Sequence, residues 1–130
     1  MPEAERHLAL ALRHLEEGRR LIEKDPVQAS EKLYKAAEEA VKALATGLDL
    51  EQARIGTKES TWWTRLLNLA AEALAEKLGI EEFALWWKVA YYLHAEGFHE
   101  ARLDSEDVKR NYRYVEALVT TAKKILKGKA

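Results

Sequence analysis

Cysteine is absent from the 130 residues, which excludes disulfides, thiolate zinc centres and cysteine nucleophiles together and fits a reducing, intracellular compartment. Proline occurs twice and glycine six times, so little interrupts a regular helix. Asparagine and glutamine are equally scarce beside 33% charged residues, a balance that resembles hyperthermophile usage. Uncharged stretches such as Val89 to Ala95 fall far short of the roughly 18 apolar residues that span a bilayer. The amino terminus is charged from Glu3 onward, so neither a membrane span nor a signal peptide is expected, and the chain reads as cytoplasmic. Neither sign of charge is in surplus: 21 lysines and arginines face 22 acidic residues, and any attraction to nucleic acid must come from a local patch.

What is present is helical periodicity. A chain of this length buries about two-thirds of its unfolded surface, enough for one core, and residues 1–130 read as a single domain. The first helix is expected from about Glu3 to Lys24, with Leu8, Ala11, Leu12, Leu15, Gly18 and Ile22 inward. Asp25-Pro26 is a helix start, an acidic cap followed by proline where its missing amide does no harm. The second helix, about Pro26 to Thr46, buries Val27, Leu33, Tyr34, Ala37, Ala40, Val41 and Leu44, and stops at Gly47. Its outer face pairs Glu31 with Lys35 and Glu38 with Lys42 and reads as solvated.

From Leu48 to Glu59 the pattern loosens around Gly56, and a loop is expected. Ser60 or Thr61 then caps a third helix over about Trp62 to Leu78, closed by Gly79. A fourth, about Glu81 to Glu96, carries Phe83, Trp86, Trp87, Ala90, Leu93 and His94 and so little polar surface that a central or interfacial position follows. A last helix starts at Asp104 or Ser105 and buries Val108, Tyr112, Val115, Leu118, Val119, Ala122 and Ile125. The expected fold is all-α, an up-and-down antiparallel bundle of four long helices plus one shorter helix.

The densest chemistry lies between Tyr91 and Asp104, where aromatic, imidazole, acidic and guanidinium groups surround Gly97, read as a helix end. Such a junction exposes unpaired carbonyls and amides that can hold a ligand. Arg102 precedes the last helix and can hold a phosphate together with backbone amides, or form a salt bridge with Asp104 or Glu106. His94 and His99 differ by five residues, where α-helical alignment requires three or four, so structural roles are favoured and no metal or cofactor is expected. Arg110, with Tyr114 beside Tyr112, offers charge and a flat ring to a nucleotide. The expected ligand-binding set is Tyr91, His94, His99, Arg102, Arg110 and Tyr114. Helix one repeats at seven residues, with Arg6, Arg13 and Arg20 on a solvated stripe and His7 and His14 on another.

The alanine-rich run Ala29 to Ala45, and the region Tyr91 to Tyr114 with its His94, Phe98, His99 and Arg102, resemble the HEPN superfamily and within it the archaeal paREP branch. The resemblance covers nearly the whole chain. It implies an up-and-down bundle that pairs as a two-fold dimer. Many HEPN members are metal-independent ribonucleases marked by an arginine, four to six residues, then a histidine. Here the nearest such arrangement, Arg6 before His14, has the wrong spacing and lies on the wrong helix.

The adjacent pairs Trp62-Trp63 and Trp86-Trp87 each send their rings about 100° apart around a helix, and a dimer interface accounts for rings that leave the core. Three functions follow. The first is a dimer that binds nucleotide, RNA or a partner such as a minimal nucleotidyltransferase, as in toxin–antitoxin systems among HEPN relatives. The second is metal-independent RNA cleavage with His99 and Arg102 as catalytic residues and Glu100 orienting the imidazole. The third is a self-association module.

Overall fold

The Asp25 side chain accepts from the Gln28 amide at 3.1 Å and Pro26 opens the next helix, a cap worth about 1 kcal/mol. In the computed structural model, which describes residues 2–128, this cap joins α1 (Pro2–Leu21) to α2 (Pro26–Gly47) as a tight antiparallel hairpin. The chain continues through α3 (Glu51–Glu59), α4 (Thr64–Leu78), α5 (Glu82–Tyr92), a π-helical segment (Leu93–His99) and α6 (Ser105–Gly128). The fold is an all-α bundle. Among the described residues no helix is long and apolar enough to cross a membrane.

α2, rather than the tryptophan-rich α5, is the central element: it packs against α1, α3, α4, α5, the π segment and α6. Its alanines explain this. Ala29, Ala36, Ala37, Ala40, Ala43 and Ala45 are fully buried, and short side chains admit neighbours on several sides while larger residues such as Leu33, Val41 and Leu44 fill the gaps. Gly18 of α1 meets Leu33 the same way, because an added Cβ would lie 2.7 Å from its Cδ2. α6 closes the bundle with Val108, Val115, Leu118, Val119 and Ala122.

The segment expected as a loop is α3. Its nine residues bury only Ala53 and Gly56, too few inward positions to produce a periodic signal. Gly56 is required there, since a Cβ would stand 2.5 Å from the Trp62 ring. Ser60 does not cap the next helix; with φ 58° it ends α3 in the left-handed region, and α4 starts at Thr64. Trp62 and Trp63 therefore sit in the link, not on one helix.

α1 and α2 share a polar seam. His7 Nδ1 lies 2.6 Å from Glu39 Oε1, and Lys42 reaches Glu38 at 3.0 Å and Glu39 at 3.7 Å. His14 Nδ1 is 3.5 Å from Glu17 Oε1, which also takes Lys32 at 3.2 Å. Burial, followed by the Lys32 ammonium, holds His14 below the usual imidazole value, against the pull of Glu17 and Glu39. A group depressed on folding contributes fully above its unfolded value of about 6.5 and loses that contribution as pH falls toward its folded value. Burial raises the Glu39 carboxyl, but His7 and Lys42 outweigh it and hold it low, so its contribution is lost only below about pH 4.5. Urea melts should show stability falling between pH 7 and pH 5, with a shallower fall in His14→Gln. An unchanged slope would place its origin elsewhere.

Candidate functional site

The chain does not stop at Gly97. After Tyr92 it widens into π geometry through His99, and the Glu100 amide donates to the Ala95 carbonyl, five residues back, at 3.0 Å. Long-range contact accounts for the widening. Gly97 presses on Ser30 of α2, and an added Cβ would approach Ser30 Cβ to 2.6 Å. Ser30 is fully buried and its hydroxyl donates to the Pro26 carbonyl at 2.8 Å. Beyond His99, Ala101 takes φ 52° and the Arg102 amide returns to the Glu96 carbonyl at 2.9 Å. A left-handed alanine costs about 1–2 kcal/mol, and strained backbone of this kind clusters at functional sites.

π geometry overturns the spacing argument applied to the histidines. Three or four residues align side chains on an α-helix, whereas a turn closed by i→i+5 bonds aligns five. His94 and His99 accordingly face each other, Nε2 to Nε2, at 3.2 Å. Behind His94, Glu31 of α2 sits 2.9 Å from Nδ1, Tyr34 stacks on the ring at 4.1 Å, and Tyr91 and Phe98 complete an aromatic wall. Glu31 is thus neither solvated nor paired with Lys35, whereas Glu38 does pair with Lys42.

Counting donors assigns the protons. A carboxylate only accepts, so His94 carries its hydrogen on Nδ1 toward Glu31. Its Nε2 then accepts from the Nε2–H of His99, leaving the lone pair of His99 on Nδ1. The result is a carboxylate–imidazole–imidazole chain that runs from half-buried Glu31 to exposed His99. Tyr34 takes no part in proton transfer near neutrality: burial, followed by Glu38, Tyr91 and Glu31, pushes its phenol far up.

The other expected residues are placed differently. Arg102 pairs with Glu100 at 3.4 Å and Glu96 at 3.9 Å, not with Asp104 or Glu106, and is 69% exposed. Glu100 therefore holds the guanidinium and does not orient an imidazole; Glu31 has that position. The amino end of α6 is closed on itself, with the Asp107 amide donating to Asp104 and the Asp104 amide to Asp107, a reciprocal cap that leaves those amides unavailable to a phosphate. The Asp107 backbone, ahead of its side chain, holds the Asp104 carboxyl low. Arg110 is tied to Asp107 at 2.8 Å, and Tyr114 lies 5.8 Å under the Arg113 guanidinium; neither interaction reaches the histidine pair. Trp87 is buried, its indole donating to Asn68 at 2.6 Å. Trp62 and Trp86 are half-buried and Trp63 is exposed.

Reading the sequence missed Glu31, Tyr34 and Ser30, all from α2. A signal existed: Glu31 lies one turn before Tyr34, on the flank of the buried stripe. At the corner Tyr91, His99 and Arg102 are exposed and His94 and Phe98 half-buried, while a separate shallow groove between α4 and α5 is lined by Glu72, Ala75, Glu76, Gly79, Glu81 and Ala84 and contains none of the expected site residues.

The comparisons match this architecture. A crystal structure of a protein from Sulfolobus solfataricus is 37% identical, covers 88% of this chain and 94% of its own, and superposes with a TM-score of 0.80. A solution structure described as that of the Orf c02003 protein is also 37% identical, covers 87% of this chain and 88% of its own, with a TM-score of 0.74. No curated protein matches the chain. The family model described as the Archaeal PaREP1/PaREP8 family matches residues 6–119, and over that span the chain belongs to this archaeal family.

Proposed function

We propose that this protein is a cytoplasmic binding module, dimeric and not itself an enzyme, that takes a nucleotide or an RNA strand at the junction of the π segment and α6. The observation that carries this reading is the open cluster of Tyr91, His94, Phe98 and His99 beside an exposed guanidinium, Arg102. Flat rings accept bases by stacking at about 1–3 kcal/mol per base. Arg102 is held only by exposed carboxylates, pairs worth about 0–1 kcal/mol, and exchanges them for a phosphate at little cost. Calorimetric titration with a nucleotide or short RNA should give measurable heat, reduced about tenfold in affinity for Arg102→Ala. No heat from the wild type at high ligand concentration removes the proposal.

Self-association is part of this reading, since Leu85 and Tyr92 on α5 and Trp63 in the link between α3 and α4 are exposed apolar groups at 57%, 44% and 43%. The buried Trp87 contributes to its own core instead. Light scattering should give a dimer; a monomer at every accessible concentration would end this part. The HEPN likeness adds a minimal nucleotidyltransferase as a candidate partner, in a toxin–antitoxin setting.

The Glu31–His94–His99 chain favours a second reading, metal-independent RNA cleavage. The carboxylate orients one imidazole against the other so that His99 can accept a ribose proton, and Arg102 would steady the developing phosphate charge. His99→Ala should then abolish cleavage with the fold intact. Undiminished cleavage in that variant, or none in the parent, excludes it.

A further inference from the structure

We propose that His94 and His99 together bind one divalent late transition ion, of the zinc, copper or nickel class, through both Nε2 atoms. The site goes beyond the nucleotide reading and does not depend on it.

Two nitrogens held at about 2.0–2.1 Å by one tetrahedral ion lie about 3.3–3.4 Å apart. The two Nε2 atoms are already 3.2 Å apart, so the backbone is set for the ion. The rings stand 82° to one another with centroids 4.4 Å apart; a shared tetrahedral ion needs about 5 Å. Rotation of the exposed His99 side chain supplies the difference, because nothing buries it.

Groups that support the first of the two ligands are present. Glu31 holds His94 Nδ1 at 2.9 Å, the carboxylate–histidine arrangement that fixes the tautomer and orientation of a metal ligand. Tyr34 stacks on the same ring, so His94 is preorganised. When His99 moves its proton from Nε2 to Nδ1, with no net gain or loss of charge, the hydrogen bond between the rings is given up and both Nε2 lone pairs become available to the ion. Glu31 lies behind His94, and Glu96 and Glu100 pair with Arg102, so acidic groups accompany the guanidinium around the pair. Imidazole suits zinc, copper and nickel better than magnesium or calcium. Among the described residues no group of three metal-ligating side chains occurs, so the other coordination positions go to water or to an oxygen of a bound ligand.

Zinc chloride alone, titrated calorimetrically into tag-free protein, should bind at one ion per chain. Affinity should be lost in His99→Ala and weakened about 10–100-fold in Glu31→Gln. The variant His7→Gln/His14→Gln should bind as the parent does. With copper(II), electron paramagnetic resonance should show two imidazole nitrogens, and one in His99→Ala. Full affinity in His99→Ala, or loss confined to the His7/His14 variant, overturns the site. Because nucleotide is absent from these titrations, their failure leaves the nucleotide reading standing, and a silent nucleotide titration leaves the metal site standing.

Discussion

Gly97→Ala should lose about 1–3 kcal/mol of folding stability and pull the two histidines out of register. The added methyl would enter Ser30, with its Cβ 2.6 Å away, and Leu103 Cδ1 stands at 3.4 Å on the other side. Ser30 cannot yield, being fully buried and bonded to Pro26. The π segment must therefore lift off α2. A rescue follows from the same geometry. Ser30→Gly removes the obstructing Cβ together with the hydroxyl that also stands in the way, and by itself costs about 0.5 kcal/mol in helix propensity. In the double variant the two changes should compensate by about 1 kcal/mol or more, a coupling that independent sites do not show. Urea melts of the four proteins measure it; simple additivity would mean that the Ser30 contact does not hold the π turn. Loss of the two-histidine metal signal in Gly97→Ala, recovered in the double variant, would tie that contact to the site.

Tyr34→Ala should cost about 3–5 kcal/mol, the range for removing a buried aromatic ring. The ring is 7% exposed and touches Trp87 at 5.7 Å, Tyr91 at 6.1 Å and His94 at 4.1 Å between centroids. It thus joins the core to the site. Tyr34→Phe keeps every ring contact, and no hydrogen bond of the hydroxyl is found among the described residues, so its cost should stay under about 1 kcal/mol. Tyr34→Leu separates the two roles: it restores apolar volume but forfeits the stacking, worth about 0.5–1.5 kcal/mol. If Tyr34→Leu is as stable as the parent and binds ligand or metal equally well, the stacked ring does not hold His94 in place.

Much of the fold was legible along the chain because its signals are local. Asp25-Pro26 announces its own turn, Gly79 takes the left-handed conformation at the end of α4, and the stripes of α1, α2 and α6 are largely buried where a 3.6-residue period puts them. α3 was not legible, since a nine-residue helix that buries an alanine and a glycine has no apolar face to count. The corner itself could be found from its composition. Its working arrangement could not, because the counting rule that set His94 and His99 apart assumes α-helical turns throughout.

Composition and periodicity by themselves determined an all-helical, cysteine-free bundle, its hairpin, most of its helix ends and the stretch where polar chemistry gathers. Tertiary packing alone decided that α2 would be central, that Gly97 would be pressed on Ser30 into a wider turn, and that Glu31, 63 residues away, would meet His94. Helical propensity and capping act over a few neighbouring residues. The register of a π turn and the partner of an imidazole depend on groups that only the folded chain brings together.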